Sequence, residues 1–159
     1  MCKFLLAVGV LAAMPLLACD LKVESAWIRE APATAGSLAG YAVLSNAGGK
    51  ALSVVGAQSA AFAQVQMHES LTENGVAKMR ELGRLEIAPG AKVEFAPGGK
   101  HFMLINPKPG LKAGDAVAVK LKDSNGCETT VQFKVGSGAA GAMDGMDHSK
   151  MDHSQMHME

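Results

Sequence analysis

Little in this chain is aromatic, and its charge favours neither sign. One Trp, one Tyr and five Phe make up 4% of the 159 residues, so a core must be built mostly from aliphatic side chains. Fifteen Lys and Arg balance fifteen Asp and Glu. With no excess of positive charge and no basic stripe, nothing favours nucleic acid or electrostatic binding to a membrane. No stretch has the period of a long amphipathic helix. Cysteine is scarce: Cys2 lies in the opening apolar segment, leaving only Cys19 and Cys127. Apart from Met67, Met79 and Met103, methionine is missing from residues 19–135, whose other hydrophobic stretches are filled with Val, Leu, Ala, Ile and Phe.

The methionines and histidines that remain beyond residue 18 fall into two groups. One is Met67, His68, Met79, His101 and Met103; the other is Met143, Met146, His148, Met151, His153, Met156, His157 and Met158. Methionine ordinarily fills gaps throughout a core, so this segregation points to the thioether itself. Thioether and imidazole together are soft and borderline ligands, and they suit copper, above all Cu(I).

The chain divides into four parts. Residues 1–18 carry Lys3 and then an apolar run from Phe4 to Leu17, too short to span a bilayer and placed as a secretory signal should be. Export to the periplasm is therefore expected. Residues 19–135 make one domain, residues 136–142 a Gly/Ala-rich linker, and residues 143–159 a Met/His-rich tail in which Met-Asp-His-Ser occurs at 146–149 and again at 151–154. The tail lacks the apolar residues to pack and reads as disordered without a ligand. It is the candidate for a second metal-binding region, with its three histidines suited to Cu(II) and its methionines to Cu(I).

Cys19 has two possible fates. Leu16-Leu17-Ala18-Cys19 resembles a lipobox, which would lipidate Cys19 and anchor the protein to a membrane. Alternatively, Cys19 and Cys127 form a disulfide, as two cysteines in an oxidising compartment invite. The fates exclude each other, and strand-like sequence directly after Cys19 favours the disulfide.

The domain reads as all-β. Leu21 to Trp27, Lys92 to Phe95 and Thr129 to Val135 alternate, and further short runs lie at 38–45, 52–57, 63–69, 76–81, 101–106 and 116–122. Turn signals separate them, among them Asn46 to Gly49, Glu73-Asn74-Gly75, Ala88-Pro89-Gly90, Pro97-Gly98-Gly99, Pro107 to Gly110 and Asn125-Gly126. This punctuation predicts a Greek-key antiparallel sandwich. The Ala- and Ser-rich residues 58–64 are expected to form a turn or a short helical piece.

His101 and Met103 stand two apart on one of these strands, so they share a face while Phe102 turns into the core. His68 and Met79 flank the Glu73-Asn74-Gly75 turn as opposite arms of a hairpin. A two-His, two-Met set follows, and Met67, one residue from His68, falls to packing.

In spacing the set resembles the periplasmic PCu(A)C copper chaperones, whose motif is a His, ten residues, a Met, twenty-one residues, then His-x-Met. Here His68, ten residues, Met79, twenty-one residues and His101-Phe102-Met103 match it without departure. Trp27, Ala39-Gly40-Tyr41 and the run Ala96 to Lys100 also match, and the likeness covers about residues 20–135. The resemblance implies a cupredoxin-like sandwich that binds Cu(I) through His68, Met79, His101 and Met103. It further implies a monomeric, non-enzymatic carrier that delivers copper to the dinuclear centre of cytochrome c oxidase or to another copper-assembly protein.

Three other functions compete. A blue-copper electron carrier needs a Cys thiolate beside its two His, and no Cys belongs to this motif. A copper enzyme would want a carboxylate, Ser or Cys beside the ligands, and none is evident. Copper buffering for resistance would use the same residues as delivery and stays open.

Overall fold

The computed structural model describes residues 19–136. Ten strands make up its regular structure: β1 (Leu21–Arg29), β2 (Ser37–Asn46), β3 (Leu52–Gln58), β4 (Phe62–Glu73), β5 (Val76–Glu81), β6 (Leu85–Ile87), β7 (Lys92–Phe95), β8 (Lys100–Pro107), β9 (Ala116–Asp123) and β10 (Glu128–Gly136). The strands run in the order β5-β4-β8-β2-β1-β10-β9-β3-β6, and β7 continues the edge of β2 beside β8. A bridge between Ala57 and Val65 joins β3 to β4 and closes the sheet on itself. All pairings are antiparallel except β1 with β10. The result is the cupredoxin-like Greek-key sandwich, with no helix among the described residues. Residues 58–64 form no helical piece: a turn at 60–61 leads directly into β4. The three-residue β6 went unread in the sequence because Leu85-Glu86-Ile87 is too short to show alternation.

The inner faces bury Ile28, Leu44, Val54, Leu104, Val119, Leu121 and Phe133 almost completely. Phe102 is their hub, stacked on Phe95 at 4.4 Å and edge-on to Phe133 at 5.7 Å between ring centroids. A Cβ at Gly40 would meet the Leu104 side chain at 3.0 Å, so β2 and β8 pack closely there because position 40 has no side chain.

β1 departs from the alternation its sequence shows. Glu24 pairs with Val43 and Trp27 with Tyr41, three steps on β1 against two on β2. The extra residue is a β-bulge in which Ser25 takes a left-handed φ of 51°. Regular alternation would carry Trp27 inward with Leu21 and Val23. The bulge instead buries Ile28 and turns Trp27 to the outer face, against Tyr41 with ring centroids 4.7 Å apart.

Candidate metal centre

The site begins with a hairpin. β4 and β5 are joined by Asn74 and Gly75 alone, with φ of 53° and 78°. Two left-handed residues make the turn whose twist matches the flanking strands. It sets the register Glu73↔Val76 through Ser70↔Met79 to His68↔Glu81. His68 and Met79 are therefore diagonal neighbours on one face, a relation that places Cβ atoms within about 7–8 Å. On the other side of β4, His68 lies directly opposite His101, and Gln66 opposite Met103.

These pairings put His68, Met79, His101 and Met103 on the outer face of three adjacent strands. Met67 and Phe102, which pair with each other, point inward to the core. Tyr41 is the next residue along β2 from Gly40, the partner of Phe102, so it lines up with His101 on the outer face. The row then continues to Trp27. His101 is 8% exposed and Met79 58%, so the set grades from a walled interior to an open edge strand.

Each histidine has one nitrogen tied down. The Nδ1–H of His101 donates to the Gly99 carbonyl at 3.2 Å, and that carbonyl also accepts from the Ser70 amide at 3.1 Å. The Nε2–H of His68 donates to Gln66 Oε1 at 3.1 Å, while its Nδ1 is buried with no hydrogen-bond partner. An orphaned buried acceptor costs about 1–3 kcal/mol, which a bound ion would recover. Burial first, then the neighbouring His101, holds the His68 imidazole below its ordinary 6.5, with Glu81 pulling the other way. The ring is thus kept neutral, the form that can coordinate a metal. Among the described residues no three His, Cys, Asp or Glu side chains converge as metal ligands. The set reaches four only by counting thioethers, and that donor chemistry fits a soft ion such as Cu(I).

The opposite face of the same strands is pinned by charge. Glu69 accepts from Lys100 at 2.7 Å and from Arg80 at 2.8 Å, linking β8, β4 and β5. Each member is the immediate neighbour of a candidate ligand: Lys100 of His101, Glu69 of His68, Arg80 of Met79. Sequence reasoning missed this clamp and missed Gln66. The signal for Gln66 was its position two residues from His68, hence on the same face.

Cys19 and Cys127 are disulfide-bonded, with Cα atoms 5.8 Å apart. Cys127 is presented by a turn in which Asp123 Oδ1 accepts from the amides of Asn125 and Cys127, both at 2.8 Å. The tail candidates from Met143 to Met158 and the leader lie outside the described residues.

Solved structures share this architecture. A copper-bound PCuAC domain from PmoF2 matches with a TM-score of 0.61 and 23% identity, over 73% of this chain and 92% of that one. The Cu(I) form of DR1885 from Deinococcus radiodurans matches with a TM-score of 0.57 and 26% identity, over 79% of this chain and 82% of that one. The chain is thus an all-β domain of the PCuAC type. It belongs to the family described as Putative lipoprotein LpqE-like, which matches residues 21–135. Putative lipoprotein Lxx21020 of Leifsonia xyli is 35% identical over 116 residues, 72% of this chain and 69% of that protein. Uncharacterized protein RP573 of Rickettsia prowazekii is 29% identical over 96 residues, 60% of this chain and 53% of that protein.

Proposed function

We propose that this protein is a periplasmic copper chaperone that carries Cu(I) between His68, Met79, His101 and Met103 and passes it to the dinuclear copper centre of cytochrome c oxidase. The observation that supports the reading is the strand register, which places these four residues on one sheet face, in a chain whose fold matches copper-bound PCuAC domains. Copper here is cargo. Outside the cytoplasm free thiolates are lost to disulfides, whereas thioethers have no proton to lose and cannot be crosslinked in that way. Four neutral ligands leave the ion its positive charge, which keeps the hold reversible.

The graded exposure gives the handover an order. Met79, on the edge strand, is the ligand an acceptor reaches first; Met103 and the two anchored imidazoles let go later. Stepwise exchange of this kind never frees the ion into water.

The test is transfer. Mixing the Cu(I)-loaded protein with the apo copper domain of an oxidase should move copper to the acceptor, with the acceptor's dinuclear spectrum as the readout. Copper that stays put, together with killing of a deletion strain by excess copper, moves the function to buffering. Low oxidase activity of that strain in scarce copper, restored by added copper, supports delivery.

A further inference from the structure

We infer that Gln66 is a positioning residue for the copper site: it fixes His68 in the Nε2–H tautomer, so that His68 presents Nδ1 to the ion while His101 presents Nε2. This rests on the reading that His68 and His101 hold the copper, and it adds the atom each uses and the residue that selects it.

The two rings present four nitrogens, and each has a different partner or none. A neutral imidazole has one donor and one acceptor, and a metal-bound histidine ordinarily donates its other N–H to a carboxylate, carbonyl or water. At His101 the main chain does this, since Gly99 O takes the Nδ1 proton at 3.2 Å and leaves the Nε2 lone pair free. At His68 a side chain, not the main chain, plays that part. Gln66 stands two residues away on the same face, and its Oε1 takes the Nε2 proton at 3.1 Å. The nitrogen left over, Nδ1, is the buried polar atom without a partner. Gln66 is also the cross-strand partner of Met103, so its side chain lies between a candidate imidazole and a candidate thioether. Its amide oxygen is a hard donor, poorly suited to Cu(I) itself. Its contribution is therefore orientation: it holds the His68 ring with Nδ1 toward the ion.

The two histidines therefore carry opposite tautomers, a pattern that long-range nitrogen–proton correlation spectra of the 15N-labelled full chain read directly. In the metal-free protein, His68 should show protonated Nε2 and His101 protonated Nδ1. Cu(I) delivered from a competing chelator should shift His68 Nδ1 and His101 Nε2. In Gln66→Leu the free Cu(I) needed for half-shift of His68 should rise by about 10–100-fold, the usual effect of losing such a partner. Gln66→Glu, which keeps an acceptor oxygen, should stay near or below the wild-type midpoint. An unchanged amide spectrum away from the site shows that the variants fold. A copper-induced shift at His68 Nε2, or a wild-type midpoint in Gln66→Leu, overturns the inference while leaving the site intact. A His68 ring that does not respond to Cu(I) at all overturns the site reading and the inference with it.

Discussion

His68 and His101 face each other across the β4–β8 ladder with ring centroids 5.8 Å apart and planes tilted by 49°. The rings are too tilted to stack, and they are fastened from different sides, one by a side chain and one by the main chain. Two imidazoles held in this way stand side by side on one sheet face. The thioethers of Met79 and Met103 belong to the same face.

Met79 and Met103 should separate binding from stability. Met79 is exposed on an edge strand, so Met79→Ile should change unfolding free energy by no more than about 0.5 kcal/mol. Met103 is only partly buried, and Ile conserves most of its volume, which costs less than about 1.5 kcal/mol. The double variant should fold and lose tight Cu(I) binding in chelator competition. An affinity equal to wild type would remove both residues from the site.

Phe102 connects the ligands to the core. It lies between His101 and Met103 in sequence and is fully buried between Phe95 and Phe133. Phe102→Ala should cost about 3–5 kcal/mol and weaken copper binding by loosening β8. Phe102→Leu should recover most of both, as followed by denaturant unfolding and Cu(I) titration. Full stability in the alanine variant would contradict the packing.

The Lys100–Glu69–Arg80 clamp should hold the three ligand strands in register. Hydrogen bonds from Lys100, then from Arg80, keep the Glu69 carboxyl below its ordinary 4.5. A depressed carboxyl pKa contributes stability that is present above the ordinary value and is lost as pH falls through the depressed one. The clamp should therefore be intact at neutral pH and open only in acid, visible as a low midpoint in a Glu69 carboxyl titration. Glu69→Gln should leave the core fold unchanged and speed amide exchange along β5. Identical exchange in the variant would show that the hairpin does not need the charge.

Most of this architecture was legible in the sequence because its cues are local. Asn74-Gly75 dictated the hairpin, the alternation around Phe102 set the faces of β8, and the spacing of His68, Met79, His101 and Met103 marked the candidate ligands. What escaped depended on pairing across strands. Ser25 looks like one more residue in an alternating run, and only its partner strand shows that it is the extra one, turning Trp27 outward and Ile28 inward. Glu69, Lys100 and Arg80 lie up to 31 residues apart and meet only because β4 sits between β5 and β8. Gln66 acquires meaning only when the orientation of the His68 ring is known.

The disulfide should stabilise the domain strongly, because Cys19 and Cys127 are 108 residues apart. Closing a loop of that length is worth about 4–5 kcal/mol in the chain-entropy model. Reduction should shift the mass by two hydrogens, about 2 Da, and lower the denaturation midpoint. Cys19→Ser with Cys127→Ser should behave like the reduced form. A mature protein that carries a diacylglycerol on Cys19 and partitions with membranes would show that the sulfur has the other fate.

The tail makes a separate prediction, since its Met/His content is a property of sequence alone. Met143, Met146, Met151, Met156 and Met158 offer thioethers, and His148, His153 and His157 offer imidazoles, all within 17 residues. Imidazole binds Cu(II) where thioether does not compete, so the tail should accept the oxidised ion that the thioether-rich face of the domain does not favour. Ending the chain at Gly136 should therefore leave one Cu(I) per molecule and remove the additional copper, Cu(II) above all. Such a loss would also bear on delivery against storage. A carrier gains from a capture segment beside one transfer site, whereas a store gains from many sites of equal rank. Metal analysis of the full and shortened chains decides it: equal loading means that the tail takes no part in holding copper.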